Sequence, residues 1–282
     1  MDTLRRITYH PGVIKLARGL GLRSILRRGY YWWARPSDGI LKLEIAGVPV
    51  QFHVHNPEEL RVLESAGGAG GEQRVLETLV HFLRRGDAVY DVGGNVGLFS
   101  AVLAKTIGPT GVLVAFEPQA QNFTHLQENL KLNGLTNFQC YRKALGDRGG
   151  QATLYSSKVI GNSSLLQHGQ PQGGGETVEV ITGDEFVKAE AVPLPRVVKI
   201  DVEGFELAVL HGLRTTLTQP ACELVCCEVH PSLLPPGTAP QAVEAFLKEV
   251  GFQKIESFPR WDGTFHLAAY KDSTAGLGRV TA

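Results

Sequence analysis

The chain has 282 residues, of which 43% are hydrophobic and 20% are charged. This composition excludes a disordered or collagen-like chain, and the length suits one or two domains. Lys and Arg number 28, as do Asp and Glu, so the formal net charge is zero. That balance argues against a protein built wholly to bind nucleic acid.

The charge is unevenly distributed. Residues 1–35 hold eight Lys and Arg residues and a single acid, a net charge of +7, so the rest of the chain carries −7. Residues 12–35 intersperse apolar side chains with arginines and contain the aromatic run Tyr30-Tyr31-Trp32-Trp33. This pattern is typical of a basic amphipathic helix on an anionic membrane surface. The alternative is a helix packed on its own domain with its arginines in water.

Apolar and polar residues alternate over 40–55, which predicts a hairpin or two short strands, and the glycines at 67–71 predict a flexible break. We therefore expect a basic helix and short strands over 1–66, the main domain over 67–275 and a flexible tail over 276–282. The N-terminus lacks the apolar segment and cleavage site of a secretory signal. We expect a cytoplasmic protein, with any membrane contact at the inner face.

After the break, strand and helix patterns alternate. The predicted helices are 72–84, 96–107, 119–132, 206–217 and 240–250, and the predicted strands are 88–92, 112–116, 137–143, 153–155, 177–181, 197–201, 224–229, 254–258 and 264–270. Apolar strands between helices predict a mostly parallel sheet covered on both faces. Such α/β sheets bind ligands beyond the carboxyl ends of their central strands.

A glycine-rich turn, residues 91–97 (DVGGNVG), follows a predicted strand and begins a helix. Its glycines allow a tight turn and the close approach of a ligand, and the helix start supplies N–H donors. A dinucleotide-binding pattern would need glycines at 95 and 98, where Asn95 and Leu98 stand. A pyrophosphate clamp is therefore not supported.

The next predicted strand ends in Phe116-Glu117-Pro118. An acid at this place typically binds the hydroxyls of a ribose. A ribose-binding acid without a pyrophosphate clamp suits an adenosine with a short cationic tail. S-adenosylmethionine (SAM) is such a ligand, and Asp91 would lie near its methionine amine.

A further central strand is followed by acids within residues 199–206 (KIDVEGFE). Asp201 and Glu203 should point toward the same cleft as Asp91. One acid there could simply cap the next helix. Three acidic strand ends around one glycine turn favour a binding site.

The order of these motifs, with residues 144–147 (ALGD), 161–165 (GNSSL) and 228–231 (EVHP), resembles the FkbM family of SAM-dependent methyltransferases over roughly residues 72–231. The resemblance implies a class I methyltransferase fold, which is Rossmann-like, with a seven-stranded sheet whose last strand is antiparallel. Family members usually have Ala where Gly94 stands.

The resemblance also implies roles for individual residues. The glycine turn would bind the methionine part of SAM, Glu117 the ribose, and Ala144 and Leu145, ending the third strand, the adenine. Glu72 precedes the first core helix and is a candidate contact of the cofactor. The alternative interpretation is a solvated acid in the first turn of that helix. The cofactor-binding candidates are Glu72, Asp91, Val92, Gly93, Gly94, Asn95, Gly97, Glu117, Pro118, Ala144, Leu145 and Asp201.

The resemblance points to O-methylation of a hydroxyl on a sugar, glycan or polyketide-type natural product. A hydroxyl is a poor nucleophile until a base removes its proton. His230 is the leading candidate for this base, and Asp201 is the second candidate. The alternative interpretation of His230 is a structural residue of the loop. The substrate-binding candidates are Asn162 and Ser163, in a glycine-rich loop (156–175) predicted to act as a lid, together with Glu203 and Glu228.

The sequence is also compatible with other functions. Asp201, Glu203, Glu228 and His230 could hold Mg²⁺ or Mn²⁺ as a Lewis acid, although spacing alone assigns no metal. A non-catalytic binding module with the same fold is one alternative. A nucleic-acid methyltransferase is another, opposed by the acidic core and by the lack of an N-P-P-Y motif. The oligomeric state is not predicted.

Overall fold

The computed structural model describes residues 23–66, 71–156, 163–164, 175–260 and 262–272. The helices are α1 (Arg23–Ala34), α2 (Pro57–Ser65), α3 (Gly71–Phe82), α4 (Leu98–Ile107), α5 (Ala120–Leu132), α6 (Gly183–Glu190), α7 (Glu206–Gly212), α8 (Arg214–Thr218) and α9 (Gln241–Glu249). The strands are β1 (Ile40–Ile45), β2 (Val48–His53), β3 (Ala88–Val92), β4 (Val112–Phe116), β5 (Phe138–Tyr141), β6 (Ala144–Leu145), β7 (Gly150–Ser156), β8 (Ser163–Ser164), β9 (Glu176–Ile181), β10 (Val197–Ile200), β11 (Leu224–Val229), β12 (Lys254–Pro259) and β13 (Phe265–Tyr270).

The main sheet has seven strands in the order β12-β13-β11-β10-β3-β4-β5. The five strands from β11 to β5 are parallel, and β13, the last in the chain, is antiparallel to both neighbours. This topology confirms the predicted class I methyltransferase fold. The order of connections reverses between β3 and β10, so a ligand cleft is expected beyond their carboxyl ends.

Two apolar clusters cover the two faces of this sheet. Along β3, Val89 belongs to one cluster, while Tyr90 and Val92 belong to the other. A strand buried on both sides needs apolar residues at successive positions, which explains why the central strands read as continuous apolar runs.

Two predicted boundaries are wrong. Ala144 and Leu145 do not end the third strand, because β5 stops at Tyr141 and the pair forms a separate strand, β6, beside β9. The helix predicted over 206–217 is broken at Leu213 into α7 and α8. Asp184 of α6 causes the second helix to start anew, since its carboxylate accepts the backbone N–H groups of Thr215 and Thr216 at 2.7 and 2.8 Å.

The structure also adds elements that the periodicity did not indicate. A second sheet has the order β6-β9-β7-β8; its strands β7 and β9 contain the predicted strands 153–155 and 177–181, whereas β8, α2 and α6 were not predicted. Capping residues mark both helices in the sequence. The Asn56 side chain accepts from the N–H groups of Glu58 and Glu59, and Thr182 caps α6 by accepting from Glu185. This spacing is a recognised start signal.

The N-terminal region packs onto the core through β2, the second strand of the confirmed hairpin. The side chains of Asn129 in α5 and of Asn133, which caps the end of α5, bind the outer edge of β2. Asn129 accepts from the His53 N–H at 2.8 Å, and Asn133 both accepts from and donates to the Gln51 backbone. Buried Glu59 lies 3.0 Å from Nδ1 of His55 and 2.9 Å from Nδ1 of His125. These contacts hold α5 against the N-terminal region.

The predicted break at 67–71 and the tail at 276–282 fall largely outside the described residues, so these boundaries stay predictions. Among the helices of the described ranges, none is both long and apolar enough to cross a bilayer.

Candidate active site

The turn after β3 is shaped by Gly93. Its φ is +85°, and a Cβ there would lie 1.9 Å from the carbonyl oxygen of Asp201. Only glycine allows this approach, which brings the ends of β3 and β10 together. Asn95 also has a positive φ, +48°, and the backbone of the turn here faces the space at the end of β4.

Glu117 closes the other side of this space. It is buried, and its carboxylate accepts from the N–H of Asn95 at 2.8 Å and from the N–H of Gln119 at 2.9 Å. Burial raises the pKa of Glu117 to about 7, against the lowering effect of those two hydrogen bonds and of Lys199. A buried carboxylate fixed in this way is ready to accept hydrogen bonds from a polar ligand.

A pocket with about 640 Å³ of space, part of it open to solvent, lies between these two features. It lies beyond the carboxyl ends of β3, β4 and β10, where sheets of this kind bind small-molecule cofactors. Its lining residues are Val92, Gly93, Asn95, Phe116, Glu117, Pro118, Asn122, Lys143, Ala144, Leu145, Leu154, Asp201, Val202, Glu203 and Phe205. Most of the sequence-predicted cofactor residues are therefore brought together. Ala144 and Leu145 reach the pocket from the second sheet instead of from the third strand.

Asp91 lies behind the pocket wall, fully buried and not among the lining residues. It accepts a hydrogen bond from Ser100 at 2.6 Å and forms an ion pair with Lys199 at 3.1 Å. The Lys199 ammonium also donates to the carbonyl of Gly93 at 3.0 Å and lies 3.7 Å from Asp201. Asp91 thus holds the lysine that supports the glycine turn. Gly94 and Gly97 likewise lie in the turn but do not line the pocket.

His230 follows β11 and is buried next to two residues of the pocket wall, although it does not itself line the pocket. Its Nδ1 is 2.6 Å from Oε1 of Glu206, a carboxylate that is itself fully buried. Its Nε2 lies 3.9 Å from Asp201 and 3.7 Å from Glu203, which both line the pocket. Nδ1 is thus bound to the Glu206 carboxylate, and Nε2 is the ring nitrogen directed toward Asp201 and Glu203.

Gly204 makes this arrangement possible. Its φ is +95°, and a Cβ there would lie 2.2 Å from the carbonyl oxygen of Leu233, so the turns after β10 and β11 touch. The Gly204 N–H donates to Oε1 of Glu206, the same oxygen that binds His230. The neighbouring Glu203 also has a positive φ, +54°, which is rare for a non-glycine residue and marks a constrained position.

Opposing influences set the protonation of this cluster. Burial opposes a charge on His230, but the hydrogen bond with Glu206 and the charges of Asp201, Glu203 and Glu228 raise its pKa to about 10. Burial raises the pKa of Glu203 to about 8; the charge of His230 opposes this rise, and the charges of Asp201, Glu228 and Glu206 add to it. Burial and the charge of Glu228 raise the pKa of Asp201. His230 and Glu203 therefore retain protons at neutral pH.

Glu228 is held by cations on its other side. Burial opposes its charge, yet the hydrogen bond and charge of His266, with Arg260 and His230, lower its pKa to about 2. Arg260 lies 2.8 Å from Glu228 and 3.0 Å from Glu72, so Glu72 joins this ion-pair network and does not line the pocket. Nε2 of His266 is 3.2 Å from Glu228.

Asn162 and the side chain of Ser163 fall outside the described residues, as does most of the predicted lid, so their roles stay predictions. Sequence reasoning missed Asn122 and Phe205 in the pocket wall, and Arg260 and His266 beside Glu228. Glu206 stood within the predicted motif, but no role was assigned to it.

Comparisons with known proteins agree with this geometry. Residues 91–254 match the family described as the methyltransferase FkbM domain. The hexuronic acid methyltransferase AglP of Haloferax volcanii is 31% identical over 206 residues, 73% of this chain and 79% of that protein. Methyltransferase sdnD of Sordaria araneosa is 29% identical over 203 residues, 61% of this chain and 76% of that protein.

Solved structures align less closely. A SAM-dependent methyltransferase from Aquifex aeolicus has a TM-score of 0.45 at 14% identity, covering 78% of this chain and all of that one. The sheet order, the glycine turn and the acid after β4 define a SAM-dependent methyltransferase. Within that class, the chain belongs to the FkbM methyltransferase family.

Proposed function

We propose that the enzyme methylates a hydroxyl group of a sugar or glycan. The relative from Haloferax volcanii is described as acting on a hexuronic acid, which favours a carbohydrate acceptor. The observation that carries the proposal is the buried pair of His230 and Glu206, 2.6 Å apart, next to Asp201 and Glu203 of the pocket wall. A hydroxyl needs a positioned base of this kind, whereas a carboxylate acceptor does not.

The pocket residues suit SAM as the cofactor. Glu117 would accept hydrogen bonds from the ribose hydroxyls, and Ala144 and Leu145 offer an apolar wall for the adenine. When bound, SAM supplies an electrophilic methyl group on a positively charged sulfur. Asp201 and Glu203 line the pocket wall, and a cationic ligand bound beside them would favour their ionised forms.

The chain's own residues then act on the acceptor. Glu206 holds Nδ1 of His230, so that Nε2 can take the hydroxyl proton. A cationic ligand beside Asp201 disfavours the proton that His230 carries in the free protein, which makes the ring available as a base. Asp201, 3.9 Å from Nε2, is the second candidate for the same proton.

A divalent cation is an alternative means of activating the hydroxyl. Asp201, Glu203 and His230 each offer one ligand atom, and these atoms lie within 4.8 Å of one another. Carboxylate oxygens with one imidazole could hold Mg²⁺ or Mn²⁺, which would act as a Lewis acid. Activity that survives exhaustive chelation would exclude this alternative, and recovery with added Mg²⁺ would support it.

The proposal is tested by incubating the enzyme with SAM and glycosides of hexuronic acids or of neutral hexoses. We expect one methyl group to appear on the sugar by mass spectrometry, together with S-adenosylhomocysteine. Mild alkali separates the outcomes, because a methyl ether survives it and a methyl ester does not. A labile product would replace hydroxyl methylation with carboxylate esterification.

The matched control is Glu117→Gln, which should lose SAM binding by calorimetry as well as activity. Wild-type protein that binds SAM but methylates no sugar would overturn the carbohydrate acceptor while leaving the enzyme class intact.

A further inference from the structure

Helix α1 has one side anchored to the rest of the protein. Tyr30 and Tyr31 are only 5% and 6% exposed. The Tyr30 hydroxyl donates to the carboxylate of Glu64 at 2.9 Å, and the Tyr31 hydroxyl donates to the carbonyl of Val54 at 3.4 Å. These contacts attach the helix to α2 and to the end of β2, and they fix which side faces away.

The opposite side is apolar and open. Ile25, Trp32 and Trp33 are 64%, 68% and 54% exposed. Their spacing of seven and eight residues places them along one side of the helix. In the described part of the chain the only other exposed large hydrophobic residue is Leu194, after α6. Single exposed apolar residues are ordinary, but a group with two adjacent tryptophans marks a binding surface.

The charged residues of helix α1 are all arginines, with no acid among them. Arg28, which is exposed, lies on the same side of the helix as Ile25 and Trp32. The guanidinium of Arg35 lies 5.8 Å from the ring of Trp32. Residues 1–35 as a whole carry +7. The partner surface must therefore accept tryptophan rings and be negatively charged.

We infer that α1 docks the enzyme on the surface of an anionic lipid bilayer. Trp32, Trp33 and Ile25 would lie at the boundary between headgroups and acyl chains, where tryptophan is preferred. Arg28 and Arg35 beside them would lie at the level of the lipid phosphates. One surface supplies both the apolar and the electrostatic parts that stable peripheral binding requires.

Co-sedimentation of the full chain with vesicles tests this inference. We expect binding to vesicles that contain phosphatidylglycerol, little binding to pure phosphatidylcholine, and weaker binding as salt is added. The double variant Trp32→Ser/Trp33→Ser should lower the partition coefficient at least about tenfold. Leu194→Ser is the matched control and should bind as the wild type does. Both variants leave the anchoring tyrosines intact, and thermal unfolding checks that they fold.

A second measurement reports on the tryptophans directly. The chain has three tryptophans, so a Trp261→Phe background leaves Trp32 and Trp33 as the only fluorophores of this type. Their emission should shift to the blue when anionic vesicles are added. The inference is overturned if wild type ignores anionic vesicles or if the double variant binds them equally well. It is also overturned if the variant only abolishes self-association, which would make the surface an interface between copies.

Discussion

Glu206 holds His230 through a contact of 2.6 Å between Oε1 and Nδ1, with both side chains buried. Replacing the carboxylate by an amide, Glu206→Gln, keeps the shape but removes the negative charge. We expect the pKa of His230 to fall and kcat to drop by about tenfold or more. The pH dependence of kcat distinguishes this positioning role from a structural one, because the rising limb, which reports the pKa of His230, should move to lower pH. An unshifted limb would mean that Glu206 acts only through stability.

The raised pKa of His230 predicts that activity increases in the alkaline range. A base must be unprotonated, and the pKa in the free protein is about 10. The value of kcat/KM should therefore rise from about pH 7 towards pH 10. His230→Asn should remove this rise and lower kcat by about 10²- to 10⁴-fold. A flat wild-type profile would instead favour Asp201 as the base.

The same group makes a separate prediction about stability. Its pKa in the folded protein, about 10, lies above the ordinary value of 6.5. The protonated ring thus contributes stability that is fully present below about pH 6.5 and lost as the pH rises through about 10. Urea unfolding across this window should show a falling free energy of unfolding for the wild type. The fall should be smaller in His230→Asn.

The raised pKa of Glu117 predicts that the affinity for SAM depends on pH. With a pKa of about 7 in the free protein, the carboxylate is largely protonated at pH 6 and ionised at pH 8. Ribose hydroxyls donate to the ionised form, so the affinity for SAM should increase roughly tenfold between these values. Calorimetry measures this directly. Glu117→Gln, which cannot ionise, should bind weakly at both, and an equally steep pH dependence in that variant would refute the assignment.

Two adjacent glycines should respond differently to a single methyl group. In Gly93→Ala the new Cβ would meet the Asp201 carbonyl at 1.9 Å, at a positive φ, and neither backbone can move away. We expect a loss of more than about 2 kcal/mol in the free energy of unfolding, and loss of SAM binding. In Gly94→Ala the nearest atom, 3.1 Å away, is the end of the Leu126 side chain. That variant should stay within about 0.5 kcal/mol of wild type.

Much of the fold and of the site could be predicted because its residues stand where buried strands end. Glu117, Asp201 and His230 follow β4, β10 and β11, and the carboxyl ends of parallel strands meet at one edge of a sheet. The apolar runs that mark these strands arise from burial on both faces. The positions of these three residues at strand ends were therefore enough to predict that they lie close together.

Other parts depended on contacts that no local pattern encodes. His266 reaches Glu228 because β13 runs antiparallel beside β11 and pairs the two residues. Arg260 reaches Glu228 from the turn between β12 and β13. The break between α7 and α8 depends on Asp184, about thirty residues earlier. In each case the deciding neighbour is distant in sequence and close only after folding.

The amides of Asn129 and Asn133 have a consequence for solubility. A two-stranded sheet exposes a row of unpaired backbone groups, which invites a strand from another molecule to extend it. Here the side chains of Asn129 in α5 and of Asn133 at its C-terminus already satisfy the Gln51 N–H and carbonyl and the His53 N–H on the outer edge of β2. These side chains therefore protect the β2 edge against the addition of a strand from another molecule.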